Sequence, residues 1–192
     1  MLESRFSRRR LALGLALLPP ALTAGARLLA APTDAPAATA ADEGGLSHSS
    51  EAIHQEVIFE ASRERVYEAL TDERRFEAVT RLSDALSLVT APGAKPTTIS
   101  RVLGGHFTLF GGYVTGRHLE LVKNERLVQA WRAGGWPAGD YSVVRFALAA
   151  DDAAGCRLTF DHRGFPDGQG KSLAYGWRVH YWEPLAKLLA QG

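Results

Sequence analysis

The chain has 192 residues, of which 46% are hydrophobic and 22% are charged, the composition of one ordinary globular domain with some additional length. The first 27 residues hold five of the 22 Lys and Arg and one of the 21 Asp and Glu, so 17 basic and 20 acidic residues remain, and this balance argues against a nucleic-acid-binding protein. The single cysteine, Cys156, excludes an intramolecular disulfide and a thiolate metal cluster.

The first 30 residues have the order of a signal peptide, which runs from basic to apolar to small residues. Residues 8–10 are arginines, and residues 11–24 form an apolar run that is shorter than the ~20 residues a membrane-spanning helix needs. The Ser-Arg-Arg sequence at residues 7–9 resembles a twin-arginine signal, which directs a bacterial protein to the export route for folded cargo. We therefore expect a periplasmic or secreted protein; the alternative is a basic N-terminus on a cytoplasmic protein.

Residues 31–51 are rich in Ala, Pro, Thr, Ser and Gly and predict a disordered linker, so we expect the folded domain to comprise residues 52–192. Residues 53–60 alternate in polarity and predict a first strand. Ser62 and Asp72 are N-cap residue types, and each precedes a short segment with its apolar residues on one helical face. Two short helices are therefore expected after the first strand.

Residues 103–132 have the pattern of a strongly curved antiparallel sheet. Apolar residues alternate there with the strand period of two, and glycines interrupt the runs. Glycine inside a strand pattern marks a bend, a bulge or a close approach by another group. The alternating sets are Phe107 with Leu109, Leu119 with Leu121, and Leu127 with Gln129 and Trp131, and the interrupting glycines are Gly104, Gly105, Gly111, Gly112 and Gly116.

A hairpin and a long helix follow. Residues 141–149 and 156–162 alternate in polarity on either side of a polar loop, and parity places Arg145 on the face of Tyr141, which is either the cavity face or the outer face. Apolar residues then recur at helical spacing from 173 to 188, with Pro184 predicting a kink or break. The predicted fold is α+β, a curved antiparallel sheet of about six to seven strands wrapped round a long C-terminal helix.

Several short motifs are spread over this domain. They are Gly104-Gly105-His106-Phe107, Leu127 to Arg132, Trp136-Pro137, Leu158 to His162, Gly164-Phe165-Pro166 and Gly176-Trp177. With the opening strand and helix, these make residues 53–189 resemble the START-like (SRPBCC, helix-grip) superfamily, and within it the family of homologues of the activator of heat-shock protein 90 ATPase. The resemblance implies a cavity between sheet and helix, where many relatives bind lipids, polyketides or other apolar molecules. The export signal would separate this protein from the cytosolic chaperone of the family's name.

Motifs for other chemistry are incomplete. Residues 164–172 end in Gly-Lys-Ser, but Phe165 stands where a phosphate-binding loop needs glycine. The six histidines show no metal-ligand spacing, and there is no G-x-S-x-G elbow, so we predict no metal, no cofactor and no assigned catalytic residue. His106 and His162 are candidate general bases, and the alternative for each is a hydrogen bond at a strand end.

The aromatic residues carry the main hypothesis, a domain that binds a small apolar or amphipathic molecule between sheet and helix. A solid core is the alternative arrangement. One alternative function is a polyketide-cyclase-like enzyme that moves protons through His162 or Tyr181, and another is a protein-interaction module with a protein partner. The predicted ligand-binding residues are Phe107, Tyr113, Trp131, Trp136, Tyr141, Phe146, Phe160, His162, Trp177 and Tyr181.

Overall fold

A computed structural model describes residues 50–151 and 155–191, so the predicted signal and nearly all of the predicted linker lie outside the described residues. Seven strands form one curved antiparallel sheet in the order β1-β7-β6-β5-β4-β3-β2, which confirms the predicted α+β architecture. The strands are β1 (Ala52–Phe59), β2 (Thr98–Ile99), β3 (His106–Leu109), β4 (Val114–Val122), β5 (Arg126–Ala133), β6 (Ser142–Asp151) and β7 (Gly155–Arg163).

Three short helices separate β1 from β2: α1 (Arg63–Thr71), α2 (Glu73–Arg81) and α3 (Leu86–Thr90). Both predicted N-caps are confirmed, because Ser62 Oγ accepts the backbone N–H of Arg65 at 3.3 Å and Asp72 Oδ1 accepts that of Arg75 at 3.0 Å. The third helix was not expected, since five residues with no side-chain cap give too short a periodic signal.

The C-terminal helix has three parts, α4 (Gly170–Trp177), a π-helical segment (Arg178–Trp182) and α5 (Glu183–Leu189). Pro184 explains the predicted irregularity, because it lacks the N–H that would bond the carbonyl four residues earlier. The N–H of Glu183 instead reaches back to the carbonyl of Arg178, which widens the turn without ending the helix. Among the described residues, no helix has both the length and the apolar character to cross a membrane.

Alternation along the central strands is partly as predicted. Leu127, Gln129 and Trp131 of β5 are all buried on one face, which confirms the expected pattern. In β4 the prediction for Leu119 is wrong: the inward face runs through Val114, Gly116 and His118, so Leu119 is 49% exposed, and a bulge between His118 and Glu120 follows.

The face of β6 is also settled. Ser142, Val144 and Phe146 are buried on the inner face, which leaves Arg145 on the outer face. There Arg145 donates to Asp161 at 3.3 Å, and His54 lies 2.8 Å from the same carboxylate. These contacts, led by the hydrogen bond from His54, hold the pKa of Asp161 below its ordinary value.

Candidate functional site

A cavity of about 220 Å³ lies between β4, β5 and the C-terminal helix, so the sheet and helix do not pack solid along their whole contact. Its wall combines aromatic, aliphatic and a few polar side chains, and none of the described residues that line it is Lys, Arg, Asp or Glu. The lining residues are Ala85, Leu88, Phe110, Tyr113, Val114, Trp131, Ala133, Gln169, Ser172, Leu173, Gly176, Trp177, His180 and Tyr181.

Buried aromatic rings form the floor of the cavity. The rings of Trp177 and Tyr181 lie 4.1 Å apart, and Phe110 meets Tyr181 edge to face at 5.2 Å. Trp131 closes the sheet side, and the centroid of its ring lies 5.5 Å from that of Trp177. The rim is more open, since Tyr113 is 50% exposed. The site is therefore an aromatic pocket with a solvent-facing mouth.

Phe110 reaches this floor from a strained backbone. Its φ is +51°, in the left-handed region that non-glycine residues rarely occupy, and Gly111 and Gly112 continue the tight turn with φ of +68° and +95°. Such strain costs of order 1 kcal/mol or more and persists where the surroundings fix it. Here contacts with Phe76 and Tyr181 hold the Phe110 ring in place, so packing of the pocket wall fixes the turn.

A few polar side chains interrupt the apolar wall, among them Tyr181, Gln169 and His180. The hydroxyl of Tyr181 accepts a long hydrogen bond of 3.4 Å from Trp131 Nε1, and burial raises its pKa, so the hydroxyl keeps its proton. Gln169 Oε1 accepts from Trp136 Nε1 at 2.8 Å, which joins the two loops at the rim. His180 also lines the cavity, but its Nδ1 is shielded from it and makes no hydrogen bond with the residues that the structure describes.

His162 lies behind the wall, in a closed relay of hydrogen bonds. Its Nδ1 accepts from Trp177 Nε1 at 3.0 Å, and its Nε2 lies 2.7 Å from Ser142 Oγ. Ser142 Oγ in turn donates to the carbonyl of Trp131 at 3.0 Å. Burial lowers the pKa of His162 to about 3, so the ring is neutral and both of its nitrogens are occupied. The geometry therefore matches the expected strand-end hydrogen bond better than a general base facing a ligand.

The structure brings four of the ten predicted binding residues to the cavity wall: Tyr113, Trp131, Trp177 and Tyr181. Trp136 lies behind the cavity wall and packs against Trp131, with the two ring centroids 5.5 Å apart. Tyr141 is not on the wall, because it precedes the inward-facing Ser142 and shares the outer face of β6. The other predicted residues pack in the core, namely Phe107, Phe146, Phe160 and His162.

Sequence reasoning did not find three of the wall residues that give the site its character. His180 follows Trp177 by three positions, so the helical period could have placed it on the cavity face. Phe110 and Gln169 lie in irregular segments, whose side-chain directions no periodic pattern predicts. Across residues 50–151 and 155–191, no three His, Cys, Asp or Glu side chains converge into a group that could hold a metal ion.

Comparison with known proteins gives the evolutionary setting. The sequence model of the family described as "Activator of Hsp90 ATPase homolog 1-like protein" matches residues 60–190. Over 158 residues the chain is 25% identical to "Activator of 90 kDa heat shock protein ATPase homolog 1" of Homo sapiens, which covers 82% of this chain and 43% of that protein. A homolog 2 of Mus musculus is 25% identical over 138 residues, 72% of this chain and 38% of the relative. The chain thus spans about two fifths of these curated relatives.

Solved structures share the fold at low identity. An HSP90 activator from Plasmodium falciparum superposes with a TM-score of 0.62 at 20% identity, over 72% of this chain and 96% of the other. The Aha1 dimer from Colwellia psychrerythraea gives a TM-score of 0.54 at 17% identity, over the same shares of 72% and 96%. At these identities the likeness establishes the architecture alone.

Proposed function

Because the chain belongs to the family of activator of Hsp90 ATPase homolog 1-like proteins, we propose that its folded domain binds a small apolar or amphipathic molecule in the cavity between the sheet and the C-terminal helix. The uncharged aromatic cavity of about 220 Å³ carries this proposal. A concave, mostly apolar pocket with a few polar groups is the usual form of a small-molecule site, and the mouth beside the exposed Tyr113 would give a ligand access.

Cavity size limits the ligand class. A cavity of about 150 Å³ takes up benzene, whereas drug-sized ligands occupy about 300–1,000 Å³. The volume of about 220 Å³ falls between these values, so a single ring with a few substituents fits. A long acyl chain or a multi-ring polyketide would extend through the mouth into solvent.

An apolar probe tests the proposal directly. We would titrate 4-ethyltoluene into the purified domain and follow tryptophan fluorescence, because Trp131 and Trp177 both line the cavity. Leu173→Trp fills the cavity from α4 and is expected to abolish the response, whereas Tyr175→Trp adds the same side chain at an exposed position of that helix. Equal binding by both variants, or no binding by the unmodified protein, would overturn the proposal.

Export through a twin-arginine-like signal is a separate part of the proposal. It is supported by Arg8, Arg9 and Arg10 ahead of an apolar run of ordinary signal length. Replacing these three arginines with lysine keeps the charge, and we expect the full chain to shift from the periplasmic to the cytoplasmic fraction on immunoblots. Arg5→Lys with Arg27→Lys is the matched control. Unchanged periplasmic recovery of the triple variant would contradict this route.

A second candidate function is protein interaction of the kind the relatives' names describe. One observation favours it: Val102 and Leu103 are 63% and 72% exposed in the turn before β3. Gly104 N–H bonds the carbonyl of His118 at 2.8 Å, which sets this turn beside the exposed Leu119. Such a patch on a soluble domain suits a protein contact.

An ATPase assay tests this second function. We would measure the steady-state ATPase rate of a purified 90 kDa heat-shock protein with and without the domain, using Leu103→Asp as the patch variant. Stimulation that Leu103→Asp abolishes would support the interaction, and no stimulation would remove this candidate. The exposed Tyr175→Asp is the control substitution away from the patch.

A further inference from the structure

A side-chain amide lies on the solvent-facing side of the cavity and has hydrogen-bonding capacity to spare. Gln169 and Ser172 both line the cavity. Gln169 is half-buried and Ser172 is exposed, whereas Trp177 and Tyr181 of the floor are buried. Gln169 Nε2 has no hydrogen-bond partner among the described residues, and it is not one of their buried unpaired atoms. Water or a ligand can therefore reach its two N–H groups.

The orientation of this amide follows from its one side-chain hydrogen bond. Trp136 Nε1 lies 2.8 Å from Gln169 Oε1, and an indole nitrogen can only donate. The amide oxygen must be the acceptor, so the NH₂ group is directed away from Trp136. The indole is itself well anchored, because Trp136 is 6% exposed and packs against Trp131 of the cavity wall. The free donor is therefore held in one orientation.

The backbone of Gln169 is also fixed. Its carbonyl accepts the backbone N–H of Leu173 and the hydroxyl of Ser172, each at 2.9 Å, in the first turn of α4. Gln169 thus connects the loop after β5 to the start of α4. A donor held at both its backbone and its side chain loses little conformational freedom when it binds a ligand.

A carbonyl oxygen is the ligand group that suits this donor. An amide N–H cannot accept, so the ligand must supply the acceptor. A ketone or ester carbonyl accepts without carrying a charge. A carboxylate would lose hydration, and none of the described residues that line the cavity is a Lys or Arg that could compensate it.

We propose that the cavity binds a neutral, single-ring aromatic carbonyl compound whose carbonyl oxygen accepts a hydrogen bond from Gln169 Nε2 while its ring packs against Trp177 and Tyr181. This inference rests on the proposed ligand-binding function and adds the chemical class and the residue that selects it. By proportion to the benzene-binding cavity of about 150 Å³, the volume of about 220 Å³ holds roughly nine non-hydrogen atoms. An alkyl-substituted aryl ketone or ester has about that size.

The experiment uses two probes of matched shape, 4-methylacetophenone and 4-isopropyltoluene, in which a carbonyl oxygen and a methyl group exchange places. Their absolute affinities differ through hydration alone, so the test is the change that a substitution causes. Gln169→Glu keeps the oxygen that accepts from Trp136 and replaces the NH₂ donor with a second acceptor. We expect this variant to bind the ketone about tenfold more weakly and the hydrocarbon less than about twofold more weakly in NMR titrations of the purified domain.

The control makes the same chemical change elsewhere: Gln191→Glu, at an exposed position, should leave both affinities unaltered. Equal losses for the two probes in Gln169→Glu, or no loss for either, would overturn this inference while leaving the proposed function standing. Binding of neither probe by the unmodified protein would overturn both. Tighter binding of 4-methylbenzoate than of the ketone would contradict a neutral ligand.

The side-chain amide signals of Gln169 give a direct readout in the unmodified protein. Its N–H protons should move downfield when 4-methylacetophenone saturates the site, because they then donate to the carbonyl oxygen, and they should not do so with 4-isopropyltoluene. The same movement with both probes, or none with the ketone, would contradict the proposed contact even if the glutamate variant failed to fold.

Discussion

The indole nitrogen of Trp177 donates a hydrogen bond of 3.0 Å to Nδ1 of His162, and this contact joins the C-terminal helix to the sheet beneath the cavity. Because Nδ1 accepts, the ring proton lies on Nε2 and is donated to Ser142 Oγ, 2.7 Å away. Protonation of His162 would place a second hydrogen against the indole N–H. The cavity floor therefore depends on a histidine that stays neutral.

Stability should consequently fall in mild acid. Burial lowers the pKa of His162 from its ordinary value of 6.5 to about 3, so between these values the unfolded chain binds a proton that the folded protein does not. The free energy of unfolding then decreases by up to about 1.4 kcal/mol per pH unit as the pH falls below about 6.5. Urea unfolding at a series of pH values from 7 to 4 measures this slope.

Variants assign the slope to the residue. His162→Gln is expected to be less stable at neutral pH, and its stability should depend less on pH because one titrating group is lost. Leu103→Gln, an exposed substitution that removes no titratable group, keeps the original slope. His118 adds dependence of the same sign, because burial lowers its pKa as well, and it remains in both variants. Parallel curves for His162→Gln and the unmodified protein would show that His162 is not the titrating group.

Removing the Ser142 hydroxyl is expected to lower the free energy of unfolding, because this hydroxyl links His162 to the carbonyl of Trp131. Ser142→Ala removes the acceptor for His162 Nε2–H and leaves that buried donor unpaired, so we expect a loss of about 1–3 kcal/mol in urea unfolding. Ser172→Ala removes a hydroxyl that also bonds a carbonyl, but at an exposed position, and should cost well under 1 kcal/mol. Similar losses for the two variants would mean that the relay contributes little.

Local rules predicted much of this fold. Ser62 and Asp72 cap helices because their side-chain oxygens satisfy backbone N–H groups within three residues, an interaction that the sequence contains in full. The alternation of Leu127, Gln129 and Trp131 likewise follows from the strand period alone. Both signals need no knowledge of distant parts of the chain.

The site was less predictable because it depends on departures from these periods. In β4 the inward face runs through Val114, Gly116 and His118 and leaves Leu119 outward, and no residue type marks the bulge that follows His118. The two faces of β6 are both partly apolar, so parity could not say whether Tyr141 or Ser142 points inward. Whether a cavity remains between sheet and helix depends on the side-chain volumes of several elements. The alternation of apolar and polar residues does not predict those volumes.

Gly116 should tolerate no side chain. A Cβ there would collide with the carbonyl of Ala130 on β5 and with the ring of Phe107 on β3, both held by the sheet. We expect Gly116→Ala to lower the free energy of unfolding by about 1–3 kcal/mol or more, measured by urea denaturation. Gly176→Ala, where an added Cβ would meet only an ordinary van der Waals contact, is the comparison. A neutral Gly116→Ala would show that the two strands can separate at little cost.

Replacing Gly176 is expected to raise the stability of the domain, in contrast to Gly116, and also to weaken ligand binding. It lies inside α4 and on the cavity wall, and a Cβ there would meet only His180 Cδ2, at an ordinary contact distance of 3.8 Å. Gly176→Ala should therefore stabilise the helix by about 0.5–1 kcal/mol in thermal or urea unfolding. The added methyl group also takes up cavity volume, so we expect 4-ethyltoluene to bind several-fold more weakly. A rise in stability with unchanged affinity would show that the probe binds elsewhere. A fall in stability would show that the added methyl group does not fit beside His180.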